Sequence, residues 1–313
     1  MRERDHAASV TSLETARQRV PFPPLGEIRA VTYAVPDLGR IEEAYSQFLG
    51  YRVIERGQVP RPVADSWAAA AVTGRAYITM EPASRESVHL RFVESPAAIG
   101  WRALTTHGWN ATEFVVQNVD ELAASLESSP FRIIGPPKSL NRFQMIRAMQ
   151  AIGPAGECLY FTQVGPNSGL DLATARSFVG RVFIVVVGGA DLGTMFTAYA
   201  RFPNDIDPPV KTRVDVLSTA NGLSPETEHP HGLIKLSHGT LIELDGYPDI
   251  TVPRWKPYGE LPPGMAIVSF EFPDIGKYTP ADPCAQALLP GAGRAVTLKG
   301  CAGELIELIE PAH

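Results

Sequence analysis

Hydrophobic and polar positions along this chain follow a rhythm that recurs four times. Each time a short apolar strand ends in a turn with an acidic or polar residue, a helix follows, and further strands come after it. The first copy is Ile28 through Val31-Thr32-Tyr33-Ala34-Val35 to Pro36-Asp37-Leu38, with a helix from Arg40 to Leu49 and then Gly50-Tyr51. The second is Ala111 to Val119, followed by a helix from Asp120 to Ser128. The third is Val182 to Leu192, followed by Gly193 to Phe202, and the fourth is Ile267 to Ile275, with a helix near Ala281 to Leu289. Corresponding points of the first and second copies, and of the third and fourth, lie about 80 residues apart, too far for a solenoid unit. The pattern predicts an α+β protein of four βαβββ modules, paired into two cup-shaped domains.

Alternation fixes the strands in more detail. Ser87 to Val93 alternates, as does Leu159-Tyr160-Phe161-Thr162, and Gly180 to Val187 is nearly continuous apolar sequence, as for a strand covered on both faces. Ser237-His238-Gly239-Thr240 reads as a hairpin turn between Ile234-Lys235-Leu236 and Leu241-Ile242-Glu243-Leu244. Asp191 and Asp120 stand where a helix wants a carboxylate at its N-cap or first turn. Residues 1–24 read as an arm, 25–165 as an N-terminal domain of modules one and two, 166–176 as a linker, and 177–313 as a C-terminal domain of modules three and four.

Composition narrows the function classes. The chain has 313 residues, 44% of them hydrophobic, enough for two cores of ordinary size. A formal net charge of −6 without a Lys/Arg run argues against nucleic acid. No apolar stretch reaches the ~18 residues of a membrane span, and Met1-Arg2-Glu3-Arg4-Asp5-His6 lacks a secretory signal's apolar core. Cys158, Cys284 and Cys301 are an odd count without a CxxC, read as reduced, small buried hydrophobes of a cytoplasmic protein. A nucleophile elbow, a Walker loop and a dinucleotide fingerprint are all missing, and Gly188-Gly189 reads as a tight turn or bulge. Trp67, Trp101, Trp109 and Trp255 suit either a core or an aromatic ligand.

Val31-Thr32-Tyr33-Ala34-Val35-Pro36-Asp37-Leu38 with Phe48-Leu49-Gly50-Tyr51 resembles the opening of a module of the vicinal oxygen chelate superfamily, which includes glyoxalase I, bleomycin-resistance proteins and extradiol dioxygenases. Gly153-Pro154-Ala155-Gly156 and Gly300-Cys301-Ala302-Gly303 resemble the turn before that family's last strand. The resemblance spans nearly the whole chain beyond the arm. It implies metal ligands from the first and last strand of each module. In the N-terminal cup those positions fall on Ala30, Ala111, Arg91 and Tyr160, which predicts no metal there. In the C-terminal cup they fall on Val182, Ile267, Glu243 and Glu307; the two carboxylates are candidate ligands for Mn, Mg, Fe or Zn, or a general acid and base without metal.

Further candidates follow from shared strand faces. Glu271 lies four residues after Ile267, as a third carboxylate or a rim residue. Glu113 shares Ala111's face and is expected to pair with Arg91, either structurally or to anchor a substrate oxyanion. Tyr160 is a substrate hydrogen-bond donor or an amphipathic wall, and His89 shares Arg91's face. Among the seven histidines, His231 is the catalytic candidate, because the chain there runs into the strand leading to Glu243. The resulting expectation is a cytoplasmic enzyme, monomer or homodimer, acting by proton transfer as a lyase, isomerase or epimerase on a small, partly apolar substrate bearing a carbonyl or phenol. The alternatives are a non-catalytic small-molecule binding or resistance protein and an extradiol-type dioxygenase. Nucleic-acid and membrane partners are not expected.

Overall fold

The computed structural model describes residues 21–140, 143–166, 168, 171–278 and 285–312. Module one comprises β1 (Ile28–Val35), α1 (Leu38–Leu49), β2 (Arg52–Gln58), α2 (Arg61–Ser66), β3 (Ala76–Glu81) and β4 (His89–Glu94). Module two comprises β5 (Gly108–Val116), α3 (Val119–Leu126), β6 (Arg132–Ser139), β7 (Ile146–Ile152) and β8 (Cys158–Val164). Module three has β9 (Val179–Gly189), α4 (Leu192–Tyr199), β10 (Asp205–Ile206), β11 (Val210–Arg213), α5 (Asp215–Ala220), β12 (Glu228–Lys235) and β13 (Leu241–Gly246). Module four has β14 (Gly264–Glu271), α6 (Ile275–Tyr278), β15 (Ala285–Gln286), β16 (Ala292–Lys299) and β17 (Leu305–Pro311).

Local chemistry explains the helices. Asp37 caps α1 by accepting from the Arg40 amide, and Gly50 ends it in the left-handed conformation at φ 67°. Ile41, Ala44, Tyr45 and Leu49 share its buried face at helical spacing. Asp191 caps α4, whereas at α3 Asn118 is the cap and Asp120 sits in the first turn. The hairpin turn falls at Ser237–Gly239, with His238 left-handed. Residues 281–284, including Cys284, lie outside the described residues; 285–286 are strand rather than the expected helix, and the module's helix is α6.

The modules pair differently from their order in the chain. One sheet runs β15-β16-β17-β14-β1-β4-β3-β2 and joins modules one and four; the other runs β10-β12-β13-β9-β5-β8-β7-β6, with β11 on β12, and joins two and three. In each, the two first strands meet antiparallel at the centre, β1 on β14 and β5 on β9, and each last strand lies parallel outside its own first strand. The expected pairing of one with two and three with four is therefore corrected.

The sheets stand back to back. Tyr33 and Thr112, on the backs of β1 and β5, hydrogen-bond through their hydroxyls, and one buried cluster including Phe92, Phe114, Phe161, Val185, Val268 and Leu308 draws on all four modules. Smaller buried clusters lie apart from this one, two of them on the concave faces of the sheets. Two further links repeat across the molecule. The Tyr45 hydroxyl of α1 donates to Glu157 at 3.0 Å, and that of Tyr199 of α4 donates to Glu304 at 3.2 Å. Both carboxylates cap their own turns, accepting from the Ala155 and Ala302 amides. The two cups open on the outer faces. Gly188 and Gly189 end β9, where a side chain on Gly188 would collide with the Tyr247 ring. Cys158 is buried as expected, but Cys301 is exposed in the turn before β17.

Candidate functional site

The cup of modules one and four is filled. Arg91 on β4 and Glu307 on β17 pair at 3.0 Å with side chains 0% and 1% exposed. Arg91 also donates to Thr32 Oγ1 at 2.9 Å and to the Leu288 carbonyl at 3.0 Å, and its guanidinium lies 4.7 Å from the Trp67 ring centroid. Glu307 accepts from Trp67 Nε1 at 2.7 Å and from Ser269 Oγ at 2.5 Å. Despite its burial, the Arg91 charge and these donors hold the Glu307 carboxyl below the usual carboxylate range. Every oxygen of Glu307 is engaged, so this carboxylate is a structural anion.

The cup of modules two and three is built differently. On its concave face β5 presents Ala111 and Glu113, β9 presents Ile184 and Val186, β13 presents Glu243 and Asp245, β12 presents His231, and β8 presents Cys158 and Tyr160. Val186, rather than Val182, stands opposite both Ala111 and Glu243. His231 Nδ1 lies 3.1 Å from Asp245 Oδ1 and 3.6 Å from Glu243 Oε1, so the imidazole stands between two carboxyls. Glu113 accepts from the Thr162 hydroxyl. Ala103, Leu104, Val216, Leu217 and Tyr247 form the apolar wall. The Tyr160 and Tyr247 hydroxyls are buried without a partner among the described residues.

This burial reshapes the titrations. Desolvation pushes Glu113 up to about 7, opposed by Thr162 and by the charge of His231. Desolvation and the Asp245 charge push Glu243 up to about 8. His231 rises to about 9, because Glu243 and Asp245 outweigh its own desolvation. The cup therefore sets a histidine and two glutamates of raised pKa together, walled by apolar side chains.

The structure separates several residues that were expected together. Glu243 and Glu307 lie in different sheets and share neither a metal nor an acid–base role. Arg91 and Glu113 are likewise in different sheets, and Arg91 pairs with Glu307 instead. Glu271 is a rim residue at the end of β14, 39% exposed and bonded to Arg29 at 2.8 Å. His89 is buried, and desolvation holds its pKa below the ordinary value. Glu243, His231, Glu113 and Tyr160 converge in one cup. Asp245 and Tyr247 were missed, although both follow Glu243 at strand period and so share its face.

One donor atom each from His231, Glu243 and Asp245 lies within 4.8 Å of the others. An imidazole nitrogen with two carboxylate oxygens suits a divalent ion that accepts oxygen ligands. Ala111 and Val186 fill the facing first-strand positions and offer no donor.

No protein-family model matches the chain, and no curated protein does at a significant level. Solved structures do. Glyoxalase I from Zea mays aligns over 91% of this chain and 92% of its own, with 14% identity and a TM-score of 0.61. A protein from Bacillus subtilis assigned provisionally as a dioxygenase aligns over 92% of this chain and 86% of its own, with 13% identity and a TM-score of 0.59. At such identity the likeness speaks to architecture. In its four modules, its two back-to-back cups and its alignment over nine-tenths of its length, this chain has the fold of glyoxalase I.

Proposed function

We propose that the cup of modules two and three is the active site of an enzyme that moves a proton on a small, partly apolar substrate bearing a carbonyl or phenol, as an isomerase, epimerase or lyase. The observation that carries this reading is the convergence of His231, Glu243, Asp245 and Glu113 beside two unpartnered tyrosine hydroxyls in an apolar cup. A proton-transfer site needs a carboxyl that both gives and takes a proton near neutral pH, and burial supplies it. Glu243, held by His231 and Asp245, removes or returns the proton. Glu113 lies two strands away across β9, about 10 Å by strand spacing, so it reaches a bound substrate from the other side. The free hydroxyls of Tyr160 and Tyr247 donate to the oxygen on which negative charge develops. A divalent ion held by His231, Glu243 and Asp245 would add Lewis-acid stabilisation of that oxygen.

The test is solvent deuterium exchange, followed by NMR, across a panel of small ketones, 2-oxo acids and phenols, with wild type and Glu243→Gln. Catalysed C–H exchange that falls by about 10²-fold or more in the variant is the expected result. Saturable binding without exchange would replace the enzyme with a sequestering protein, and oxygen uptake with ring cleavage would replace it with a dioxygenase.

A further inference from the structure

A second cavity lies outside the His231 cup. A cavity of about 470 Å³ opens at the end of the other cup, between the close of α2, the start of β5, the Pro253–Lys256 stretch and the β16–β17 hairpin. Its inner surface is apolar and aromatic, from Trp67, Trp109, Met265 and Leu305. Its charge is one-sided. Arg254, Lys256 and Lys299 line it, and none of the three has a carboxylate partner among the described residues. Arg254 spends its donors on Thr106 Oγ1 and three backbone carbonyls, with its guanidinium 4.9 Å from the Trp101 centroid. Lys256 donates only to the Glu260 carbonyl, because the Glu260 carboxylate is taken by Arg75. The one acid in the lining, Glu304, is turned away to Tyr199 and the Ala302 amide.

Two further features point to a ligand. The Ser66 and Thr297 hydroxyls, both in the lining, are buried without a hydrogen-bond partner among the described residues, which costs free energy unless something polar meets them. Trp255 stands in the lining 75% exposed, an aromatic surface that no side chain covers. Lys256 and Lys299 repel each other: burial first, and then the Lys299 charge, lowers the Lys256 pKa. An anion between them relieves that repulsion.

We infer that this cavity is a second small-molecule site, separate from the His231 cup, that takes a flat aromatic or otherwise apolar body carrying one carboxylate. The carboxylate sits between Lys256 and Lys299, and the ring lies against the tryptophan walls with Trp255 across the mouth. A volume of about 470 Å³ suits a one- or two-ring compound and falls within the usual range for ligand pockets.

The test is isothermal titration of full-length protein with 2-naphthoate and with its neutral analogue 2-naphthalenemethanol. The acid should bind about tenfold or more tightly than the alcohol, by roughly one good charge-assisted contact. Lys256→Met/Lys299→Met should abolish that preference, Lys256→Arg/Lys299→Arg should keep most of it, and Trp255→Ala should weaken both ligands. Glu243→Gln should leave the acid's affinity unchanged, which separates this site from the proposed active one. Equal affinity for acid and alcohol, no loss in the methionine variant while its circular dichroism is native, or loss in Glu243→Gln would each overturn the inference.

Discussion

Breaking the Arg91–Glu307 pair tests whether the cup of modules one and four is a structural plug. Both side chains are essentially unexposed, and their bond is one of a set reaching Thr32, Leu288, Trp67 and Ser269. Removing one charge from such a pair leaves the other buried and uncompensated, which costs about 3–5 kcal/mol. Arg91→Met strands the Glu307 carboxylate, although Trp67 Nε1 and Ser269 Oγ still donate to it. Glu307→Gln strands the guanidinium and keeps an oxygen for only one of the two donors, because Trp67 Nε1 donates to Oε1 and Ser269 Oγ to Oε2. The double variant carries no charge in the cup, so its loss should be smaller than the sum of the single losses by about 2–3 kcal/mol, the range for residues in one network. Urea denaturation with an unchanged slope measures each corner of this cycle. Additivity within about 0.5 kcal/mol, or a cost of Arg91→Met below about 1 kcal/mol as for a surface pair, would refute the buried-plug argument. Proton-exchange activity per folded molecule should survive all three variants, because the proposed site is in the other sheet.

Other expectations can be checked with the same protein. Tm should fall as pH rises from about 5 to 8: burial lifts Glu113 and Glu157 to about 7, so the stability tied to their protons is complete below the ordinary glutamate value and lost as pH passes through 7. Glu307, shifted downwards, works the other way and gives its stability back only as pH falls through its folded pKa, so a Tm that climbs steadily from pH 5 to 8 would contradict the buried protonated carboxyls. Tyr160→Phe should leave stability nearly unchanged, since its hydroxyl has no partner among the described residues, while slowing exchange about tenfold or more; a stability loss above about 1 kcal/mol would show that the hydroxyl already has a structural bond. Added Mn²⁺ should raise the Tm of wild type more at pH 8.5 than at pH 6, because protons compete for the Glu243 carboxyl, and should do nothing to Glu243→Gln/Asp245→Asn; an equal rise in that variant would place the ion elsewhere.

What the sequence disclosed and what it withheld divide along one physical line. Alternation assigns a residue to a face of its own strand, because side chains follow the local backbone. That is why the sequence alone places Glu113 beside Ala111 and His89 beside Arg91, and why Asp245 and Tyr247 are within reach from Glu243. Caps are equally local, and Asp37 and Asp191 act where their spacing puts them. Which two modules share a sheet is not local. The central ladders β1–β14 and β5–β9 are made of backbone N–H and C=O groups that every sequence carries. The choice of partner is written instead in side chains on the backs of the sheets, such as Tyr33 against Thr112, and in long-range links such as Tyr45 to Glu157 and Tyr199 to Glu304. Those links tie module one to two and three to four across the core, so modules adjacent in sequence are close in space without sharing a cup. The consequence for chemistry is direct. Glu243 and Glu307 hold equivalent positions in their modules, yet one ends beside a histidine and a second carboxyl, with its pKa raised, and the other beneath an arginine, with its pKa lowered. Equivalent positions in a repeated module specify only where a carboxylate stands, and its neighbours in the folded cup decide whether its pKa is lowered or raised.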